Sequence, residues 1–233
     1  MNDLVLLHGA LGAARQLDPL ADVLRQNFRV HQLDFEGHAS APPRDRPFRM
    51  EYFAENVIEL LDRNGIGSAA FFGYSMGGYV ALYLAAERSE LVERVATLGT
   101  KFRWDPQTAA REAGRLDPVA IRAKVPRFAD ALAERHAAAG GWESVLERTA
   151  DLLRNLGDEP LLTDATFARI RQPVQVMVGA RDNTVSVEES ADVTGRLTNG
   201  SLSVLPDTPH PIEQVDVGLL VSALRDFLAP PRR

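Results

Sequence analysis

Brief apolar runs alternate with helically patterned stretches along most of this 233-residue chain, and that alternation restricts the fold more than any other feature. Short apolar segments bounded by Gly, Pro and Asn suit strands buried on both faces, and the longer amphipathic stretches between them suit crossover helices. The pattern predicts an α/β fold with a doubly wound, mostly parallel sheet of about six strands. Strands are expected at Asp3–Leu7, Phe28–Leu33, Ala69–Phe72, Val92–Leu98, Val174–Val178 and Ser201–Leu205. Helices are expected at Gln16–Gln26, Met50–Asn64, Met76–Arg88, Val187–Leu197 and Val215–Leu228, with a frayed tail at Pro230-Pro231-Arg232-Arg233.

One region breaks the alternation. From Phe102 to Thr166 no strand signal occurs, and stretches such as Pro126–His136 and Trp142–Leu156 are amphipathic, with Leu146, Ala150, Leu153 and Leu156 at helical spacing. The expected organisation is therefore a core of residues 1–101 and 167–233 carrying an inserted helical segment, residues 102–166. Above a catalytic edge that segment would be a lid; otherwise it is a packing layer.

Within this pattern, Gly73-Tyr74-Ser75-Met76-Gly77 falls where a strand meets a helix. A serine between two glycines at such a junction matches a nucleophile elbow, in which the crowded turn tolerates little beyond hydrogen at the flanking positions. An alcohol is a poor nucleophile at neutral pH and needs a base, itself oriented by a third group. Two later strand ends supply both: Gly179-Ala180-Arg181-Asp182, and Leu205-Pro206-Asp207-Thr208-Pro209-His210. The carboxyl ends of parallel strands lie along one edge, so Ser75, Asp182 and His210 can converge there as nucleophile, orienting acid and base. Asp207, Glu213 and Asp216 also lie close to His210 in sequence and remain alternatives to Asp182. The turn His8-Gly9-Ala10-Leu11-Gly12 follows the first strand. Its Ala10 N–H, with that of Leu11 as the alternative, and the Met76 N–H at the start of a helix are candidate donors to an oxyanion.

As a set, HGALG, the LDFEGHA loop at 33–39, GYSMGG, GARD and DTPHP resemble the α/β-hydrolase superfamily over nearly the whole chain. The resemblance implies a doubly wound sheet, a lid after the sixth family strand and no cofactor. The first strand here resembles the family's third, so the first two are expected to be absent. Tyr74 stands where the family usually has a histidine before the serine.

The remaining features narrow the chemistry. A formal net charge of −6 argues against nucleic acid or an anionic membrane as the main partner, and no apolar run approaches the length of a membrane span. The opening Met1-Asn2-Asp3 lacks a basic leader, which argues for a cytoplasmic location. There is no cysteine and no metal-ligand spacing among His8, His31 and His38, so no metal is expected. His8 is assigned to the backbone of the oxyanion turn and His38 to its loop. Leu11, Tyr74, Phe102 and Trp104 are expected to line the substrate pocket. His136 and Trp142 flank Gly140-Gly141; a solvent-side histidine and a core tryptophan are the expected placements, with reach over the pocket as the alternative.

Three functions fit. The first is a serine hydrolase of small carboxylic esters working through an acyl-enzyme. The second uses the same triad for proton abstraction, since the turn and elbow also resemble the menaquinone-pathway lyase branch and the carbon–carbon bond hydrolases; Arg15, Arg44, Arg46 and Arg103 would then hold carboxylates. The third is a non-catalytic binder of a small ligand. Oligomeric state is not legible.

Overall fold

A computed structural model describes residues 1–228; the tail expectation lies outside the described residues. The strands are β1 (Asn2–Leu7), β2 (Phe28–Gln32), β3 (Ala69–Tyr74), β4 (Val92–Leu98), β5 (Val174–Gly179) and β6 (Gly200–Leu205). They form one all-parallel sheet in the order β2-β1-β3-β4-β5-β6. This is the doubly wound α/β architecture expected. Helices α1 (Asp18–Leu24), α2 (Met50–Asn64) and α3 (Met76–Glu87) connect the first four strands. Five more lie between β4 and β5: α4 (Pro106–Ala113), α5 (Pro118–Lys124), α6 (Pro126–Arg135), α7 (Trp142–Asp158) and α8 (Asp164–Arg169). Then α9 (Val187–Arg196) joins β5 to β6, and α10 (Val217–Leu228) follows β6.

Strand periodicity divides the core. Along β1, Val5 and Leu7 point to the side packed by Phe53 and Val57 of α2 and Val80 of α3. Leu4 and Leu6 point to the other side, against Leu20 and Leu24 of α1 and Leu220 and Leu224 of α10. The inner strands β1, β3, β4 and β5 thus bury most of both faces, whereas the edge strands β2 and β6 are largely half-buried or exposed and carry polar residues. The segment between β4 and β5 adds a small nucleus of its own, Ile121, Leu132, Trp142 and Leu146.

Local chemistry sets the ends of these helices. Gly65 takes a left-handed conformation (φ 64°) at the end of α2. Asp105, Asp117 and Ser186 accept backbone N–H bonds at the starts of α4, α5 and α9. The N-cap of α8 is Thr163 and the helix runs to Arg169, so it spans the expected boundary at Thr166. Among the described residues, no helix is long and apolar enough to cross a membrane.

Candidate active site

Ser75 sits at the junction of β3 and α3 with φ 51° and ψ −115°, a sparsely populated conformation for a side-chain-bearing residue. The surrounding structure imposes that strain. A Cβ on Gly73 would overlap the backbone of Gly77 and Gly78, and one on Gly77 would overlap the Leu7 carbonyl. The turn therefore packs against itself and against the end of β1. The Ser75 N–H donates to Leu98 O at 2.8 Å, and its carbonyl accepts from Thr100 Oγ1 at 2.9 Å. Those bonds tie the turn to the end of β4.

Asp182 and His210 meet. The Asp182 Oδ1 accepts from the N–H groups of Thr184 and Val185 at 2.8 and 2.9 Å, while Oδ2 lies 2.7 Å from His210 Nδ1. Two backbone donors thus orient the carboxylate, and the side chain is almost wholly buried. With Nδ1–H given to the carboxylate, a neutral His210 ring keeps Nε2 as an acceptor. The three sequence-adjacent rivals are engaged elsewhere. Asp207 pairs with Arg181, Glu213 contacts Gln16 and Arg135, and Asp216 accepts from the Leu219 N–H. Ser75 and His210 line one cavity of about 510 Å³. Among the described residues no hydrogen bond joins the Ser75 hydroxyl to the ring.

Ala10 and Met76 line the same cavity beside Ser75. The Gly12 N–H donates to Gly9 O at 3.1 Å, closing a turn with Ala10 and Leu11 at its centre and Leu11 at φ 58°. His8 lies under this turn: Nδ1 is 2.7 Å from Gly9 O and Nε2 accepts from the Phe35 N–H at 3.1 Å. These partners place the ring proton on Nδ1. Burial pushes the His8 pKa down to about 4.

Leu11, Tyr74 and Trp104 line the cavity. Phe102 does not. Its ring is buried in the core near Phe167, and its N–H is bonded to Glu189 Oε1 at 2.7 Å, which turns the side chain inward. The segment between β4 and β5 supplies much of the opposite wall, including Leu116, Ile121, Val125, Phe128 and Leu152. Trp142 is a core residue of that segment. His136 is not solvent-side: it is fully buried, outside the cavity, with both ring nitrogens bonded to backbone. A cleft of about 610 Å³ lies at the amino ends of β1 and β2, near Met1, Phe28 and Val221, far from these groups in the sheet.

The candidate carboxylate-holding arginines are elsewhere. Arg44 and Arg46 pair with Glu36, Glu55 and Glu59, Arg103 pairs with Asp192, and Arg15 borders a separate depression. Arg115 does border the cavity but is paired with Glu112. Sequence reasoning missed Glu189, which accepts the N–H groups of Phe102 and Arg103 and approaches Lys101. Its Ser186-x-x-Glu189 spacing signals a helix start, and nothing local reveals that the carboxylate reaches the segment following β4.

The chain is similar to several known proteins. The chain is 30% identical to the esterase YbfF of Escherichia coli over 95 residues, covering 41% of this chain and 37% of the esterase. It thus spans little more than a third of that relative. It is 28% identical to 3-oxoadipate enol-lactonase 2 of Acinetobacter baylyi over 188 residues, covering 74% and 68% of the two chains. The fold superimposes on a thermophilic esterase of Thermogutta terrifontis with a TM-score of 0.78 at 22% identity, covering 98% and 89% of the two chains. The family model described as the alpha/beta hydrolase fold matches residues 3–212, a span that takes in the Gly9–Gly12 turn, Ser75 and the Asp182–His210 pair: the chain belongs to the α/β-hydrolase family.

Proposed function

We propose that this protein is a serine hydrolase of small carboxylic esters. The observation carrying the reading is the Asp182–His210 pair at 2.7 Å, with His210 and Ser75 on the wall of one cavity. In this reading His210 Nε2 takes the Ser75 hydroxyl proton as the oxygen attacks the ester carbonyl. Negative charge gathers on the carbonyl oxygen, where the N–H groups of Ala10 and Met76 stabilise it. Collapse expels the alcohol, which leaves with the proton from His210, and an acyl-enzyme remains. Water then attacks, His210 again moving the proton, and the acid is released. Asp182 holds the ring in the productive tautomer and stabilises its cation.

The largely apolar wall from Leu116, Ile121, Val125 and Phe128 favours an ester with an apolar acyl or alkoxy part, and residues 102–166 act as the lid over it. The named activities of the esterase and enol-lactonase relatives also involve ester-type bonds. Proton-abstraction chemistry with an arginine-held carboxylate is less well supported, because the four candidate arginines lie outside the cavity.

Ser75→Ala should abolish hydrolysis of p-nitrophenyl butyrate while far-ultraviolet circular dichroism stays unchanged. Turnover at the wild-type rate in that variant defeats the reading. Detection of an acyl adduct on Ser75 by intact-mass spectrometry separates acyl transfer from proton abstraction.

A further inference from the structure

We propose that Arg135 and His136 are positioning residues for the oxyanion turn, holding Leu11 in the left-handed conformation that presents the Ala10 N–H to the cavity. The inference rests on the serine-hydrolase reading above and adds two residues to it from the helical segment between β4 and β5.

Both side chains converge on one atom. His136 Nε2 lies 2.9 Å from the Leu11 carbonyl oxygen, and Arg135 Nη1 donates to the same oxygen at 2.8 Å. His136 Nδ1 accepts from the Ala39 N–H at 3.0 Å, so the ring proton resides on Nε2 and points at Leu11. Arg135 also reaches Glu213, which accepts from Gln16 and follows His210 by one short turn. One pair of neighbouring residues therefore links the oxyanion turn, the loop after β2 and the histidine loop.

The turn needs such a restraint. Gly9–Gly12 is closed by the Gly12 N–H to Gly9 O bond, and its third position, Leu11, has φ 58°. A turn of this type calls for glycine or asparagine there, because a side chain crowds the carbonyl at positive φ. Leucine occupies the position instead, and it also lines the cavity. Ala39, the second backbone group held by His136, likewise has positive φ, at 46°. Two strained residues are thus clamped by one fully buried imidazole. Without the two donors, Leu11 can relax to negative φ; the Ala10–Leu11 peptide then rotates, and the turn closed by Gly12 N–H and Gly9 O carries the adjoining Gly9–Ala10 peptide with it. The Ala10 N–H then loses its aim at the oxygen above Ser75. A purely stabilising role for the pair would instead leave that aim unchanged.

The test uses the full chain, p-nitrophenyl butyrate, and an alkyl fluorophosphonate that labels the activated serine. His136→Ala should lower kcat by about tenfold to a hundredfold, in the range of a weakened oxyanion donor, with KM changed by less than about twofold. The rate of Ser75 phosphonylation should fall with kcat, because that reaction also places negative charge at the turn. His136→Gln, which keeps one donor and one acceptor on a planar group, should recover most of both rates. Arg135→Met should lower kcat in the same direction by a smaller factor. A His136→Ala enzyme with wild-type kcat and only a lower melting temperature overturns the inference, as does a glutamine variant no better than alanine. If His136→Ala does not fold, Arg135→Met decides the matter, and wild-type kcat in that variant overturns it. Absence of fluorophosphonate labelling in the wild type counts against the hydrolase reading itself. Equal labelling of wild type and His136→Ala counts against this inference alone.

Discussion

The Tyr74 hydroxyl donates a 3.0 Å hydrogen bond to the main-chain carbonyl of His210. The residue before the elbow serine therefore holds the loop that carries the histidine, 136 positions further along the chain. Burial raises the Tyr74 phenol above its ordinary pKa, so the group remains a donor throughout the neutral range. Tyr74→Phe should cost about 1 kcal/mol of stability, from one lost buried hydrogen bond. It should also lower kcat several-fold by loosening His210. Urea unfolding and steady-state kinetics check the two parts separately, and an unchanged kcat would assign the contact to stability alone.

Gly99 lies against the Asp182–His210 pair. A Cβ there would stand 3.1 Å from Asp182 Oδ2 and 3.2 Å from the His210 ring, at a backbone φ of 61°. Gly99→Ala should thus displace the pair and also strain the backbone by about 1–2 kcal/mol. The expected result is a folded protein with kcat reduced by about tenfold or more, since small misplacements of reacting groups are costly. Retained activity would show that the pair tolerates movement.

Glu36 is a nearly buried carboxylate that accepts from Arg46 through both oxygens and from Asn56 Nδ2 at 2.9 Å. Its own N–H donates to Asn56 Oδ1 at 2.9 Å. Arg46 and Arg44 keep Glu55 and Glu59 as partners once Glu36 is gone, and the buried loss falls on Asn56, so Glu36→Ala should destabilise by about 1–3 kcal/mol. The cluster lies outside the cavity, and kcat per folded molecule should stay near wild type. Chemical denaturation and active-site titration measure these two quantities.

Three buried histidines, His8, His38 and His136, lie together with neighbouring ring centroids 5.3 and 5.8 Å apart. Burial lowers the pKa of each, and the mutual proximity of the rings lowers His38 further. In the unfolded chain they titrate near the ordinary value of about 6.5. As pH falls below that value, the unfolded state takes up protons that the folded state refuses, so stability decreases. It is fully present above about pH 6.5 and, for His8, lost progressively down to about pH 4. His8 alone accounts for roughly 3 kcal/mol over that interval, by linkage. Urea midpoints should therefore fall steadily between pH 7.5 and pH 4.5; a flat profile would contradict the neutral burial of this cluster.

The chain's local pattern carried a great deal. Apolar alternation located all six strands, and Met50–Asn64 and the start of α3 at Met76 were legible from helical spacing and punctuating glycines. The elbow was equally plain, because the steric demands of the turn are written in adjacent residues. What sequence could not separate was Asp182 from Asp207, Glu213 and Asp216, all of them acids with plausible reach. Packing separated them: the Thr184 and Val185 amides orient Asp182, and the loops after β5 and β6 are laced together by the bond from Arg181 N–H to Thr208 O. Phe102 was misplaced for a similar reason, since the bond that turns it inward comes from Glu189, 87 positions away. His136 was the largest departure. The preceding helix α6 shows an apolar and a polar side, but nothing nearby reveals that the partners of His136 are Leu11 and Ala39. Periodicity encodes which face of an element is buried, through interactions repeated within a turn or a strand. Which atom meets which across the sheet edge depends on loops closed over a hundred residues, and only the assembled tertiary structure decides that.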